Sequence, residues 1–195
     1  MKKLLLFAFI CLSTSAFAQS IKLVSGNLDF LQSEQYIDIE FTYNDLRVGK
    51  LSEEEYVAKK MADTEKRGKD PEIWRRGWIA DRKDTYEPKF IELFDKRMAP
   101  LGIEISSEGQ YLMHIQTDFI EPGFNVGVAR QNASISFTAA FIEKATGNEV
   151  AMITVIKSSA NNFLGTDFDA AYRIGECYAK GGRELGAFIV KKRTK

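Results

Sequence analysis

The residues of this chain with side chains suited to chemistry are few and scattered. Its single histidine, His114, shares a strand-like stretch with Gln116 and Asp118 at two-residue intervals. Residues four apart on a strand stand about 13 Å from each other, so His114 and Asp118 are too distant for direct proton transfer. Cys177 is the only cysteine after residue 18, and the sequence has no His/Cys cluster with zinc spacing and no Asp-x-Asp-x-Asp calcium loop. The phosphate-loop and Gly-x-Ser-x-Gly patterns are also missing, so no metal and no cofactor is expected. Gly123-Phe-Asn-Val-Gly127 lacks the following helix that would make it a phosphate cradle. Trp74 and Trp78, four apart on a helix face, suit stacking on a sugar ring, with Asp81 and Asp84 as neighbouring carboxylates. Such a pair also suits packing against a sheet, the commoner fate of large aromatics.

Recognition has better material. Two Gly/Asn-rich stretches, 121–132 and 158–166, carry apolar side chains where loops are ordinarily polar. Phe124, Asn125, Val126 and Arg130 lie on the first, and Asn161, Asn162, Phe163 and Leu164 on the second. Loops held by a rigid scaffold often bind partners, which makes these eight residues a candidate partner-binding set. The same apolar tips would also serve as lids tucked over the core.

The elements between these loops decide whether they meet. From Gln110 to Ile120 the odd positions Tyr111, Met113, Ile115, Thr117 and Phe119 alternate with His114, Gln116 and Asp118, predicting a strand with one apolar face. Ala133–Glu143 repeats the alternation, and Lys144-Ala-Thr-Gly-Asn148 supplies a hairpin turn. Val150–Ile156 is apolar at nearly every position, predicting a strand covered on both faces. An antiparallel meander over 110–157 would bring the two loops to one end of the sheet.

Upstream, Ile21–Val24 and Tyr36–Tyr43 read as strands, with a short continuation at 46–48 and one more strand at 103–105. Ser52 and Glu55 form a capping box that opens a charged helix running to Lys66. Asp70-Pro71 starts a second helix, and Glu87-Pro88 is expected to restart the chain before a last stretch to Met98. Residues 52–98 are thus a helical insertion between strands. Thr166-Asp-Phe-Asp169 opens a long final helix that keeps Gly175, Gly181, Gly182 and Gly186 despite their cost. Either that helix approaches a neighbour closely, or Gly181-Gly182 marks a break. The architecture predicted is α+β: a mixed or antiparallel sheet of about five or six strands, covered by the insertion and the final helix.

Residues 1–18 have a basic start, a short apolar run and an Ala-x-Ala end, the pattern of a secretory signal peptide. The run is too short to span a bilayer. Cleavage after Ala18 leaves 177 of 195 residues, one α+β domain by length, in the periplasm or outside the cell. It also removes two of the 27 basic residues, leaving 25 against 27 acidic and a net charge of −2, which gives no drive towards nucleic acid or an anionic membrane surface. Stable insertion into a membrane is not expected either. Cys177, left without a partner, is expected to be buried on the last helix.

In order of elements, residues 109–195 resemble small exported bacterial proteins of the TolB amino-terminal and CsgG-like kind. The likeness lies in strand, Pro-Gly loop, long strand, Ala145-Thr-Gly147 hairpin, strand, then a helix reading Ala179-Lys-Gly-Gly-Arg-Glu-Leu185. The Trp-bearing insertion departs from it. The resemblance implies a binding or envelope-assembly module with an envelope protein as partner, rather than an enzyme. The alternative is a small-molecule or glycan binder or hydrolase using Trp74 and Trp78.

Overall fold

Alternating apolar positions, capping residues and turn glycines set the order of elements, and long-range pairing sets their arrangement. A computed structural model describes residues 19–125, 129–160 and 169–193, the side chain of Asn125 excepted; the signal-like residues 1–18 lie outside this range. The chain opens with β1 (Ser20–Gly26) and β2 (Tyr36–Thr42), then a tight hairpin of β3 (Arg47–Val48) and β4 (Leu51–Ser52). Helices α1 (Glu53–Lys66), α2 (Pro71–Asp81) and α3 (Glu87–Met98) follow, then β5 (Glu104–Ile105) and β6 (Tyr111–Glu121). A small ribbon of β7 (Phe124–Asn125) and β8 (Arg130–Gln131) leads to β9 (Ser134–Glu143), β10 (Glu149–Ser158) and α4 (Ala170–Arg193).

The architecture is α+β with a mixed sheet. β6, β9 and β10 form the antiparallel meander, with Ile115 opposite Ala139 and Ala139 opposite Ile153. β1 extends it antiparallel beyond β10, while β2 runs parallel to β6 on the other side. Eight strands share the sheet, and three of them, β3, β4 and β5, are two-residue additions to the five long ones.

Among the described residues, helices cover one face of the sheet. Ile115, Phe137, Ala139, Phe141, Ile153 and Val155 point into a single core with Phe90, Phe94 and Met98 of α3 and Tyr178, Leu185 and Ile189 of α4. The other face is open, and register puts Thr42, Gln116, Thr138, Thr154 and Lys22 in one polar row across it. The expectation that β10 is covered on both sides is therefore corrected: Ile156 is 51% exposed, and among the described residues no helix packs over that face. A second correction concerns β6. A bulge at Asp118 inserts one residue, so Ile120 rather than Phe119 is buried beyond it.

The caps read from sequence at Ser52 and Asp70 are present, while Thr166 lies outside the described residues. Ser52 Oγ accepts from the Glu55 amide at 3.2 Å while Glu55 Oε2 accepts from the Ser52 amide at 2.9 Å. Asp70 Oδ1 accepts from the Glu72 amide, with Pro71 as first helical residue. Glu87-Pro88, by contrast, does not restart the chain. A π-helical turn, Arg82–Tyr86, joins α2 to α3, and the Glu87 amide bonds the Arg82 carbonyl. Widening the turn relieves the clash of the Pro88 ring with the carbonyl four residues back.

The insertion is anchored to the sheet through polar groups. Tyr43, just after β2, donates to Glu87 Oε1 at 3.3 Å, and Lys83 pairs with the same carboxylate. The Arg82 guanidinium lies 4.2 Å from the Tyr43 ring centre and pairs with Glu53. Tyr178 of α4 shares a 2.7 Å hydrogen bond with the buried Thr117 of β6. Burial raises the pKa of Tyr43, Tyr86 and Tyr178 above that of a free phenol.

α4 runs unbroken through its glycines and lies along α3. A Cβ on Gly182 would stand 2.3 Å from the Phe90 carbonyl oxygen, so backbone meets backbone there. Cys177 is buried as expected, and burial pushes its thiol up to about 11. Among the described residues no helix is long and apolar enough to cross a membrane.

Two glycines should respond oppositely to alanine. Gly182→Ala forces α3 and α4 apart and should cost about 1–3 kcal/mol, lowering Tm by roughly 3–10 °C. Gly77, in the interior of α2, has nothing within 4 Å of a Cβ. Gly77→Ala should therefore raise stability by about 1 kcal/mol. Thermal melts of the two variants beside the parent check both signs.

Candidate functional site

The meander decides where its loops emerge. Glu121, at the end of β6, pairs with Ser134 at the start of β9, and Ser158, at the end of β10, pairs with Ile135. Both loops thus begin at one end of the sheet. Ser159 Oγ donates to the Ala133 carbonyl at 2.7 Å, and Lys180 of α4 donates to the Ser159 carbonyl at 2.9 Å. Ser158, fully buried, donates to the Cys177 carbonyl.

At its base the first loop forms regular structure despite its Gly/Asn content. Phe124 pairs with Gln131 and Asn125 with Arg130, so the chain leaves the sheet as a two-stranded ribbon. Gly123 makes the entry possible: its φ is +64°, and a Cβ there would stand 2.4 Å from the Gln131 carbonyl oxygen. Glu121 Oε1 accepts from the Gly123 amide at 3.0 Å. From α4, the Arg173 guanidinium donates to the carbonyls of Pro122 and Gly123 at 3.1 and 3.2 Å. The ribbon base is held from two directions, and Phe124 on it is 42% exposed.

Phe124 borders a cavity of about 350 Å³ between the β3–β4 hairpin, α1 and the start of α4. Tyr56, Lys59, Lys60 and Asp63 of α1 line one wall, and Glu121 and Arg173 the other. The Tyr56 phenol is pushed up to about 12, chiefly by burial and secondarily by the Glu121 charge, with Arg173 opposing. It is therefore a hydrogen-bond donor at neutral pH. The Lys60 ammonium stands 5.6 Å from the Tyr56 ring centre. Lys59, Lys60 and Arg173 share the lining with Asp63 and Glu121, with an aromatic ring on the ribbon and another in the wall.

Of the eight residues marked in the sequence, Phe124 and Arg130 are exposed on this ribbon, and the backbone of Asn125 completes its ladder. The side chain of Asn125, and Val126, Asn161, Asn162, Phe163 and Leu164 altogether, lie outside the described residues. The cavity walls were not marked. Tyr56, the one aromatic residue of α1, is the available signal; nothing local points to Arg173, which reaches Gly123 from fifty residues away.

The tryptophans do not form a paired platform. Trp78 is 6% exposed and donates from Nε1 to Glu53 at 2.6 Å, and its ring lies against Tyr56. Trp74 stacks on Trp78 with centroids 6.0 Å apart. The pair packs inside the α1–α2 hairpin, not on the sheet, and leaves only Trp74 partly accessible. Asp84 is exposed; Asp81 is half-buried, and its carboxyl is raised by burial and by the charges of Asp169 and Asp84. His114 bonds Thr42 Oγ1 at 2.8 Å, whereas Asp118 accepts from Thr138 at 3.0 Å, so histidine and aspartate serve different neighbours. Among the described residues no group of three or more His, Cys, Asp or Glu side chains is placed to hold a metal.

No protein-family model and no curated protein matches the chain. Solved structures similar to it include a PelC dodecamer from Paraburkholderia phytofirmans (10% identity, 84% of this chain and 97% of that one, TM-score 0.36). Protein XCC0632 from Xanthomonas campestris is similar over 52% of this chain and 59% of its own (13% identity, TM-score 0.35). A Helicobacter pylori protein described as a homolog of a neuraminyllactose-binding hemagglutinin is similar over 88% and 93% (9% identity, TM-score 0.36). At TM-scores below 0.5 these likenesses say nothing about function.

The Tyr56 shift has a definite sign. A phenol whose folded pKa of about 12 exceeds its free value of 10.0 adds stability that is complete below pH 10 and is lost as pH rises through 12. Urea midpoints measured from pH 8 to 12 should fall above pH 10, and Tyr56→Phe should make that fall shallower.

Proposed function

We propose that this chain is an exported bacterial protein that works as a non-enzymatic binding or envelope-assembly module. Its contact surface is the end of the sheet from which the ribbon projects, and its partner is another envelope protein. The observation that carries the reading is Phe124: a large aromatic held in solvent on a ribbon whose base is fixed by Glu121 and Arg173. Aromatic side chains on rigid, pre-formed supports are the usual anchors of protein interfaces, because little entropy is lost when they dock. Arg130 beside it, with Lys59 and Lys60 across the cavity, supplies polar contacts for a rim.

Export rests on the signal-like residues 1–18, and the resemblance of residues 109–195 to TolB amino-terminal and CsgG-like proteins agrees with an envelope role. The glycan-binding alternative needs two accessible indoles and has one.

Replacing Phe124 and Phe163 by Ser should weaken recovery of the partner from envelope extracts at least tenfold. On this reading Tm stays within about 2 °C of the parent, since Phe124 is 42% exposed and Phe163 is taken as a contact residue rather than a lid. A large fall in Tm would identify these rings as lids on the core and remove the reading.

A further inference from the structure

The turn joining α1 to α2 lies away from the sheet. α1 has no buried residue, and it packs on α2 and on the β3–β4 hairpin. At this tip, residues 65–76 carry five basic side chains against three acidic ones. Two of the acids are already engaged: Asp70 caps the first turn of α2, and Glu72 pairs with Arg75. Lys66, Arg67, Lys69 and Arg76 are exposed and have no side-chain hydrogen bond or ion pair within the described residues. Arg67 and Lys69 line a hollow of about 520 Å³ together with Ile73 and Trp74. Ile73 is 62% exposed, more than any other large apolar side chain described.

We propose that this tip docks on an anionic phospholipid surface. Unpaired cations beside an exposed isoleucine and a partly accessible tryptophan are what the bilayer interface accepts: ammonium and guanidinium groups meet phosphates while the apolar rings and chains enter the headgroup layer. A small soluble anion would satisfy the cations but give Ile73 nothing to bury. A second copy meeting this one tip to tip would set like charges together. The slight negative charge of the whole exported chain does not oppose docking, because only charges within about 10 Å of the surface are felt at ordinary ionic strength. The contact is peripheral, with no segment crossing the bilayer, and it is separate from the ribbon surface.

The test uses the full-length gene product, purified after export. It is floated on density gradients with vesicles of phosphatidylcholine alone or mixed with phosphatidylglycerol, at low and high salt. The expected result is co-flotation with the anionic vesicles only, lost at high salt, with a blue shift of tryptophan emission. Arg67→Glu with Lys69→Glu should lower the apparent affinity at least about twenty-five-fold, at about fivefold for each basic side chain lost, with the added carboxylates acting in the same direction. Ile73→Ser should lower it a further few-fold, with Tm unchanged for each variant. Absence of flotation at low salt, equal binding to neutral vesicles, or binding indifferent to these substitutions would each overturn the proposal. So would self-association or capture of an acidic protein that depends on the same residues while vesicles go unbound.

Discussion

In-register antiparallel pairing of β6, β9 and β10 is the constraint from which the rest of the molecule follows. β9 sits between the other two and bonds both, so its apolar residues fix which side chains of each neighbour enter the core. A slip of one residue would turn Phe137, Ala139 and Phe141 to solvent and Thr138 and Ala140 inward. The same pairing makes Glu121, Ser134 and Ser158 neighbours, and so gives the ribbon and the second loop a common origin. α4 is then laid across the meander and reaches back through Arg173 to hold the ribbon base.

Covering one face and leaving the other open has a chemical reason in the rows of the sheet. Thr42, Gln116, Thr138, Thr154 and Lys22 present hydroxyl, amide and ammonium groups that are readily solvated, so that face needs no lid. Gln116 illustrates the economy: its Nε2 donates to the Asn44 and Thr117 carbonyls while Oε1 accepts from Thr42. The helical insertion is joined to the covered side by α3 and by the Tyr43, Glu87, Arg82 and Glu53 groups, and its distal turn is left for other contacts.

Much of this was legible in the residues. Ser52 with Glu55 and Asp70 with Pro71 announced their helix starts, because capping is a matter of three or four consecutive residues. The alternation in 111–117 and 134–141 announced strands; the glycines of α4 left a close approach and a break both open, and the Phe90 carbonyl beside Gly182 decides for the approach. What escaped depends on partners distant in sequence. The Asp118 bulge, the π turn before Pro88 and the open face beside Ile156 are responses to neighbouring elements, invisible in a local pattern. Trp74 and Trp78 showed their spacing but not that Tyr56 and Glu53 would enclose one of them. At the candidate site Phe124 stood out as an apolar residue on a loop, whereas the wall of Tyr56, Lys59, Lys60 and Arg173 is assembled from two helices more than a hundred residues apart in the chain.

The central claim is that the ribbon end of the sheet, and not its open face, meets a partner. A photoreactive amino acid placed at position 124 and activated in intact cells examines this where the protein works, with the same group at position 138 on the open face as the reference. A discrete covalent adduct from position 124, absent or much weaker from position 138, is the result the account predicts. Equal adducts from both positions, or none from 124 while 138 gives one, would contradict it.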